Sequence, residues 1–242
     1  MSNTIFLAGA TGAIGRQLVP LLTKADYRVF GTTRVKERAS ALEAMGVEPL
    51  ILDVFDMPGV EAAFSRIRPD ILVIMLTDLP RDLDPHAMVE ARPRNARVWA
   101  EGTRNLMVSA KKVGTRRVVA QSLAWLYAPG PQPHQEADAL GAGDADLGVV
   151  LEGVSALERA VLDTPPVQGV VLRFGLLYGS GTSSEQAQGS CPLHVQAAAH
   201  ATYLAIENGR PGVYNVADDN AFASTAKARR ELDWNPAFRR AG

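Results

Sequence analysis

Three glycines at three-residue spacing, Gly9, Gly12 and Gly15, stand where an apolar run (residues 4–8) gives way to an amphipathic segment (residues 16–23). That order predicts a buried strand turning tightly into a helix whose free N–H groups face an anion. A phosphate reaches main-chain amides only where no side chain intervenes. Gly9 allows the turn, Gly12 lets a diphosphate close in, and Gly15 lets the helix lie on the strand. Thr11, Ala13 and Ile14 complete the expected phosphate-binding set.

A sheet must carry that loop, and the chain keeps alternating strand and helix. Apolar runs at 27–32, 50–53, 71–76, 117–120 and 170–174 read as strands. Helical periodicity marks 38–45 (ending at Gly46), 60–67, 96–113 (ending at Gly114) and 156–162. Such alternation calls for a parallel, doubly wound α/β sheet with right-handed crossovers. Residues 128–148, rich in Pro, Gly, Asp and Glu, read as a long mobile loop.

The bulk numbers narrow the partners. With 25 basic and 26 acidic residues in 242, net charge is −1, which leaves no footprint for nucleic acid or an anionic membrane. Cys191 is the one cysteine, so no intrachain disulfide forms and a reducing, cytoplasmic setting is expected. The start, Met1 to Thr4, lacks the basic region of a signal peptide, and no apolar run is long enough for a membrane span. Four histidines show no metal-ligand spacing, and no metal site is expected.

Together these residues resemble the short-chain dehydrogenase/reductase superfamily, in its extended and atypical branch of NAD-dependent epimerase/dehydratase-like proteins. The likeness rests on the phosphate loop at 9–15 and the helix motif at 101–106. It continues in the fifth strand and its loop (117–127), in residues 172–179, 193–195 and 212–216, and in a late helix at 226–236. It implies a Rossmann domain over 1–175, a small C-terminal substrate lobe over 176–242, and a small-molecule substrate. Leu76, Phe174 and Gly175 would then flank the nicotinamide, Val54 would line the cofactor's path, and helices 96–113 and 150–162 would pair in a homodimer. The family carries longer inserts near 182–191 and 220–225. Either the lobe is reduced here or segments are absent from those places.

The end of the second strand selects the cofactor. A carboxylate there binds ribose hydroxyls, whereas a cation accommodates a 2′-phosphate. Residues 31–36 hold no acid, and Thr33 and Arg34 offer a hydroxyl and a planar fork, so NADP is favoured over NAD. Asp53, ending the third strand, either meets the adenine amine or is a strand-end turn residue.

Catalysis is where the likeness breaks. The superfamily sets a lysine four residues after a tyrosine so that its charge lowers the phenol pKa. The positions four beyond Tyr27, Tyr127, Tyr178, Tyr203 and Tyr214 hold Gly31, Pro131, Thr182, Glu207 and Asp218. On the helix expected to carry the pair stand Glu152 and Ala156. Ser122, one residue from the family's serine position, either binds a substrate oxygen or satisfies a strand end. Glu152 as acid or base, and Tyr127 or Tyr178 as proton donors, are the remaining catalytic candidates. His194 is expected to cap a helix, and Trp99, Trp125 and Trp234 to pack, with Trp125 alternatively walling a pocket. Two readings stay open: an NADP(H)-dependent oxidoreductase or epimerase-like enzyme on a small carbonyl or sugar-type substrate, and a non-catalytic NADP-binding sensor or scaffold.

Overall fold

The computed structural model describes residues 3–80, 82–141 and 147–240. Its amino-terminal half runs β1 (Thr4–Ala8), α1 (Ala13–Lys24), β2 (Arg28–Thr33), α2 (Ala39–Glu43), β3 (Glu48–Ile51), α3 (Met57–Ile67) and β4 (Ile71–Ile74). Then come α4 (Pro85–Arg97), α5 (Thr103–Val113), β5 (Arg117–Leu123), α6 (Gly148–Leu162) and β6 (Gln168–Phe174). The chain closes with β7 (Leu176–Tyr178), β8 (Pro192–His194), α7 (Val195–Asn208), β9 (Gly212–Val216) and α8 (Ala226–Leu232).

Seven strands pair in the order β3-β2-β1-β4-β5-β6-β9, all parallel. The chain reverses direction across the sheet between β1 and β4, and a crevice opens beyond their carboxyl ends. Successive side chains of β1 serve opposite faces. Ile5 and Leu7 pack with α1, α7 and α8, while Phe6 and Ala8 pack with α3, α5 and α6. This two-sided burial explains why β4 and β5 read as unbroken apolar runs.

Three expectations change. The long helix starts at Pro85, not at 96. Asp84 accepts from the amides of His86 (3.1 Å) and Ala87 (2.9 Å), Pro85 takes the first turn, and a π turn at Val98–Gly102 joins α4 to α5. Pro93 inside α4 masks this periodicity. Residues 128–141 are irregular but packed: Tyr127 bridges Leu140, and the His134 ring, 3% exposed, stacks on Tyr127 at 4.8 Å. Residues 142–146, which belong to the same expected loop, lie outside the described residues. Finally, the expected boundary at 175 does not separate one core from another. β9 extends the main sheet beside β6, and α7 shares a core with α1 because Ala197, Ala201 and Ala205 let the helices approach closely.

Candidate functional site

A cleft of about 590 Å³ lies over the carboxyl ends of β1, β2 and β4. Its floor is the glycine loop. Gly9 sits at φ +97°, and a Cβ there would clash with the Met75 carbonyl oxygen, so only glycine makes this turn beside β4. A Cβ on Gly15 would clash with the carbonyl oxygens of Gly9 and Ala10. Gly12 differs. Its φ of −73° suits any residue, and a Cβ would meet only the Gly9 carbonyl oxygen, at 3.2 Å. What its missing side chain leaves is room in the cleft.

Helix α1 has no side-chain cap. The Gly12 amide donates to the Gly9 carbonyl (3.0 Å) and that of Arg16 to the Gly12 carbonyl (3.1 Å). Among the described residues, the amides of Ala13, Ile14 and Gly15 find no acceptor, which leaves three aligned donors and the positive end of a 12-residue helix beside the cleft. Thr32 in β2 pins the loop by accepting from the Gly9 amide at 3.3 Å. Thr11, Ala13 and Gly12 line the cleft directly.

Two arginines, Arg34 and Arg38, follow β2 at one end of the cleft, and Arg16 of α1 lines it beside Gly181. Arg34 pairs with Asp78 at 3.0 Å and is half exposed. Thr33 lines the cleft, but its hydroxyl is engaged with the Val35 carbonyl (3.2 Å) and amide (3.1 Å), closing the turn after β2. Asp53 and Val54 line the far wall, Asp53 accepting from the Phe55 amide at 2.9 Å. Leu76 stands at the β4 end. Buried amides fix these walls: Asn105 donates to the Val54 carbonyl (2.9 Å), Gln121 to the Leu76 carbonyl (3.1 Å), and Asn95 accepts from the Asp78 amide (2.7 Å). From the other side, Gly181 and Thr182 reach over the loop.

The sequence candidates beyond β5 sit elsewhere. Ser122 (3% exposed) donates to Glu158 Oε1 at 2.6 Å. Arg173 clasps that same carboxylate through Nε (2.9 Å) and Nη2 (2.8 Å). Its Nη1 donates to the Tyr127 phenol oxygen at 2.9 Å, and that phenol donates to Asn215 Oδ1 at 2.7 Å. Burial alone would depress the Arg173 guanidinium, but the Glu158 carboxylate holds it above its ordinary range. Burial lifts the Tyr127 phenol, partly opposed by Arg173. Ser122 therefore faces Glu158 and Tyr127 faces Arg173 rather than the cleft, because the buried Glu158–Arg173 pair must have its remaining lone pairs and protons satisfied.

Phe174 and Gly175 also lie behind the cleft: Phe174 is 3% exposed in the core, and Gly175 packs against the Cys191 carbonyl oxygen. Glu152 is exposed in the second turn of α6, and Ala156 is half-buried below it. Tyr178 donates to Asp218 Oδ2 at 2.7 Å, and burial followed by that carboxylate raises its pKa. His194 caps α7, its Nδ1 accepting from the Gln196 amide at 3.2 Å. Trp99 and Trp234 are buried, and Trp125 is half-buried.

Sequence reasoning missed Arg16, Arg38, Thr32, Asp78 and Thr182. Arg16 could have been found, since it stands one helical turn after Gly12. Among the described residues no group of three or more His, Cys, Asp or Glu is placed to hold a metal ion. No helix there is long and apolar enough to cross a membrane.

An open doubly wound sheet with bare amides beneath a crevice at its switch point defines a dinucleotide-binding protein. The comparisons make that specific: residues 9–177 match the family described as NAD(P)H-binding, and the chain belongs to that family. A 3-diazoavenalumate denitrifying reductase from a Streptomyces species is 33% identical over 239 residues, covering 89% of this chain and 76% of the relative. An NADPH-dependent methylglyoxal reductase of Saccharomyces cerevisiae is 29% identical over 132 residues, covering 52% of this chain and 37% of that protein. UDP-glucose 4-epimerase of Thermotoga maritima, solved with UDP-glucose, shares the fold with a TM-score of 0.79 at 15% identity, covering 98% of this chain and 94% of that one.

Proposed function

We propose that the protein is an NADP(H)-dependent reductase acting on a small electrophile. One observation carries the cofactor reading. The exposed backbone at Gly12 and the unpaired amides of Ala13, Ile14 and Gly15 form a cradle that a single Cβ would obstruct. Those amides would hold the diphosphate. Asp53 and Val54 would lie along the adenosine, with Leu76 toward the nicotinamide. Arg34 and Arg38 favour a 2′-phosphate and so NADPH over NADH, since neither is a carboxylate that would bind ribose hydroxyls instead.

A bound NADPH supplies hydride from its nicotinamide ring. The protein's share is to orient the two reactants and exclude water. The sequence reading of a small carbonyl or sugar-type substrate is supported by the methylglyoxal relative, while the Streptomyces relative widens it to a diazo-bearing acid. The rival reading, an NADP sensor or scaffold, is favoured by one observation. No tyrosine, lysine or histidine is among the described residues lining the cleft.

Fluorescence titration with NADPH and NADH tests the cofactor. NADPH should bind at least about tenfold tighter, and equal affinities would remove the arginines from the reading. Incubating the NADPH complex with aldehydes, ketones and diazonium salts then separates enzyme from sensor, because a sensor leaves every one of them unreduced.

A further inference from the structure

Of the two carboxylates lining the cleft, Asp53 and Asp78, the second is paired with arginine. Asp78 follows β4, and its Oδ1 accepts from Arg34 Nη2 at 3.0 Å. Its Oδ2 faces Arg94 Nε, on α4, at 3.7 Å.

The partners are held very differently. Asp78 is fixed by the backbone around it. Buried Asn95 accepts from its amide at 2.7 Å, and Trp99 Nε1 (3.2 Å) and Gln121 Nε2 (3.1 Å) both donate to the Leu76 carbonyl two residues earlier. Arg34 stands on a flexible stem and is half exposed. It gives Asp78 a single nitrogen, which leaves Nε and Nη1 to meet another anion.

We propose that Asp78 is a specificity-determining residue that limits the preference for NADPH: its carboxylate competes with the 2′-phosphate for Arg34, and Arg94 keeps it paired once Arg34 turns to the cofactor. This rests on the dinucleotide reading above and names what sets its selectivity. NADPH then enters by an exchange of ion pairs. NADH brings only an uncharged hydroxyl to that place and leaves the Arg34–Asp78 pair intact.

Charge decides the sign. A carboxylate that merely steadied Arg34 would help NADPH, but a half-exposed pair made through one nitrogen contributes little. Two anions sharing one guanidinium lie within a Debye length, about 8 Å at physiological salt, so they repel with little screening. The phosphate brings close to two negative charges to that encounter. Arg94 matters because Asp78, once released, would otherwise confront the phosphate alone. Arg94 also faces Glu90, one turn earlier on α4, at 3.9 Å.

Asp78→Asn removes the charge at nearly unchanged shape, and fluorescence titration reads the result. NADPH should bind about three- to tenfold tighter than to the parent protein, with NADH within about twofold. Adenosine 2′,5′-bisphosphate and ADP, which carry the adenosine end alone, should divide in the same way by calorimetry. The gain should shrink in 0.5 M salt to less than about twofold, a response that a purely structural role would not produce. Arg94→Ala should weaken NADPH about threefold while Asp78 is present and by less than about twofold in Asp78→Asn.

Weaker NADPH binding by Asp78→Asn overturns the proposal, because Asp78 would then support Arg34 rather than oppose the phosphate. Equal changes for NADPH and NADH overturn it too, leaving the pair a structural one. If Arg34→Ala leaves NADPH affinity unchanged, the phosphate lies elsewhere and the placement of NADPH fails along with the proposal. Failure of the parent protein to bind either nucleotide is a different failure, since it removes the dinucleotide reading itself.

Discussion

Two neighbouring stretches of one sheet edge treat polar groups in opposite ways. Beyond β1, β2 and β4, donors are left unpaired: three amides open α1, and among the described residues Arg16 and Arg38 make no ion pair. Beyond β5, β6 and β9, polar groups close on one another: Ser122, Glu158, Arg173, Tyr127 and Asn215 form a buried chain with hydrogen bonds of 2.6–2.9 Å. In the first stretch Gly12, Arg16, Arg34 and Arg38 are exposed, so its donors face water and stay available to a ligand. The first stretch is therefore open to an incoming anion, whereas the second is closed on itself.

The largest effect should come from breaking the closed stretch. Arg173→Met or Glu158→Leu alone leaves one buried charge without its partner and should lower unfolding free energy by ~3–5 kcal/mol, read by urea titration. The double variant should recover most of that. Singles and double with equal losses would show that the ion pair matters less than packing.

Next comes the open stretch. Gly12→Val should weaken NADPH about a hundredfold (~2.7 kcal/mol) while unfolding free energy falls by only ~1 kcal/mol, because its added Cβ meets the Gly9 carbonyl oxygen at 3.2 Å and the rest enters the cleft. A smaller change separates the cofactors: Arg34→Ala with Arg38→Ala should cost about tenfold in NADPH affinity and leave NADH alone, measured by fluorescence.

The smallest effect concerns His194, between the two stretches. Burial first, then Arg239, lowers its pKa below the ordinary 6.5. A lowered folded value means the neutral ring is the stabilised form. Its contribution is complete above about 6.5 and is lost as pH falls through the folded value. Protonation also removes the Nδ1 acceptor that caps α7. His194→Ala should cost ~1 kcal/mol near neutrality and flatten the acid side of the stability profile.

The open stretch is legible in the sequence because its chemistry is local. Gly9, Gly12 and Gly15 fall close together, and their spacing alone implies the geometry seen. The closed stretch joins residues 15 to 88 positions apart. Nothing in the spacing of Ser122, Glu158 and Arg173 says that they meet, so two of the catalytic candidates read as free hydroxyls. α4 goes almost unread for a different reason, since Pro93 inside it masks the helical periodicity ahead of residue 96. His134, in a stretch whose composition reads as mobile, is buried because Tyr127 supplies an aromatic surface for it.

α7 shares its core with α1, although some 170 residues separate the two along the chain. During synthesis the first helix therefore emerges long before the alanine-rich surface that will cover it. Until residues 195–208 leave the ribosome, its apolar side is open to water and the preceding loop has no firm backing. The earliest motif to be translated is thus among the last to become rigid, and a chain arrested before α7 would carry the nucleotide signature without the power to grip a nucleotide.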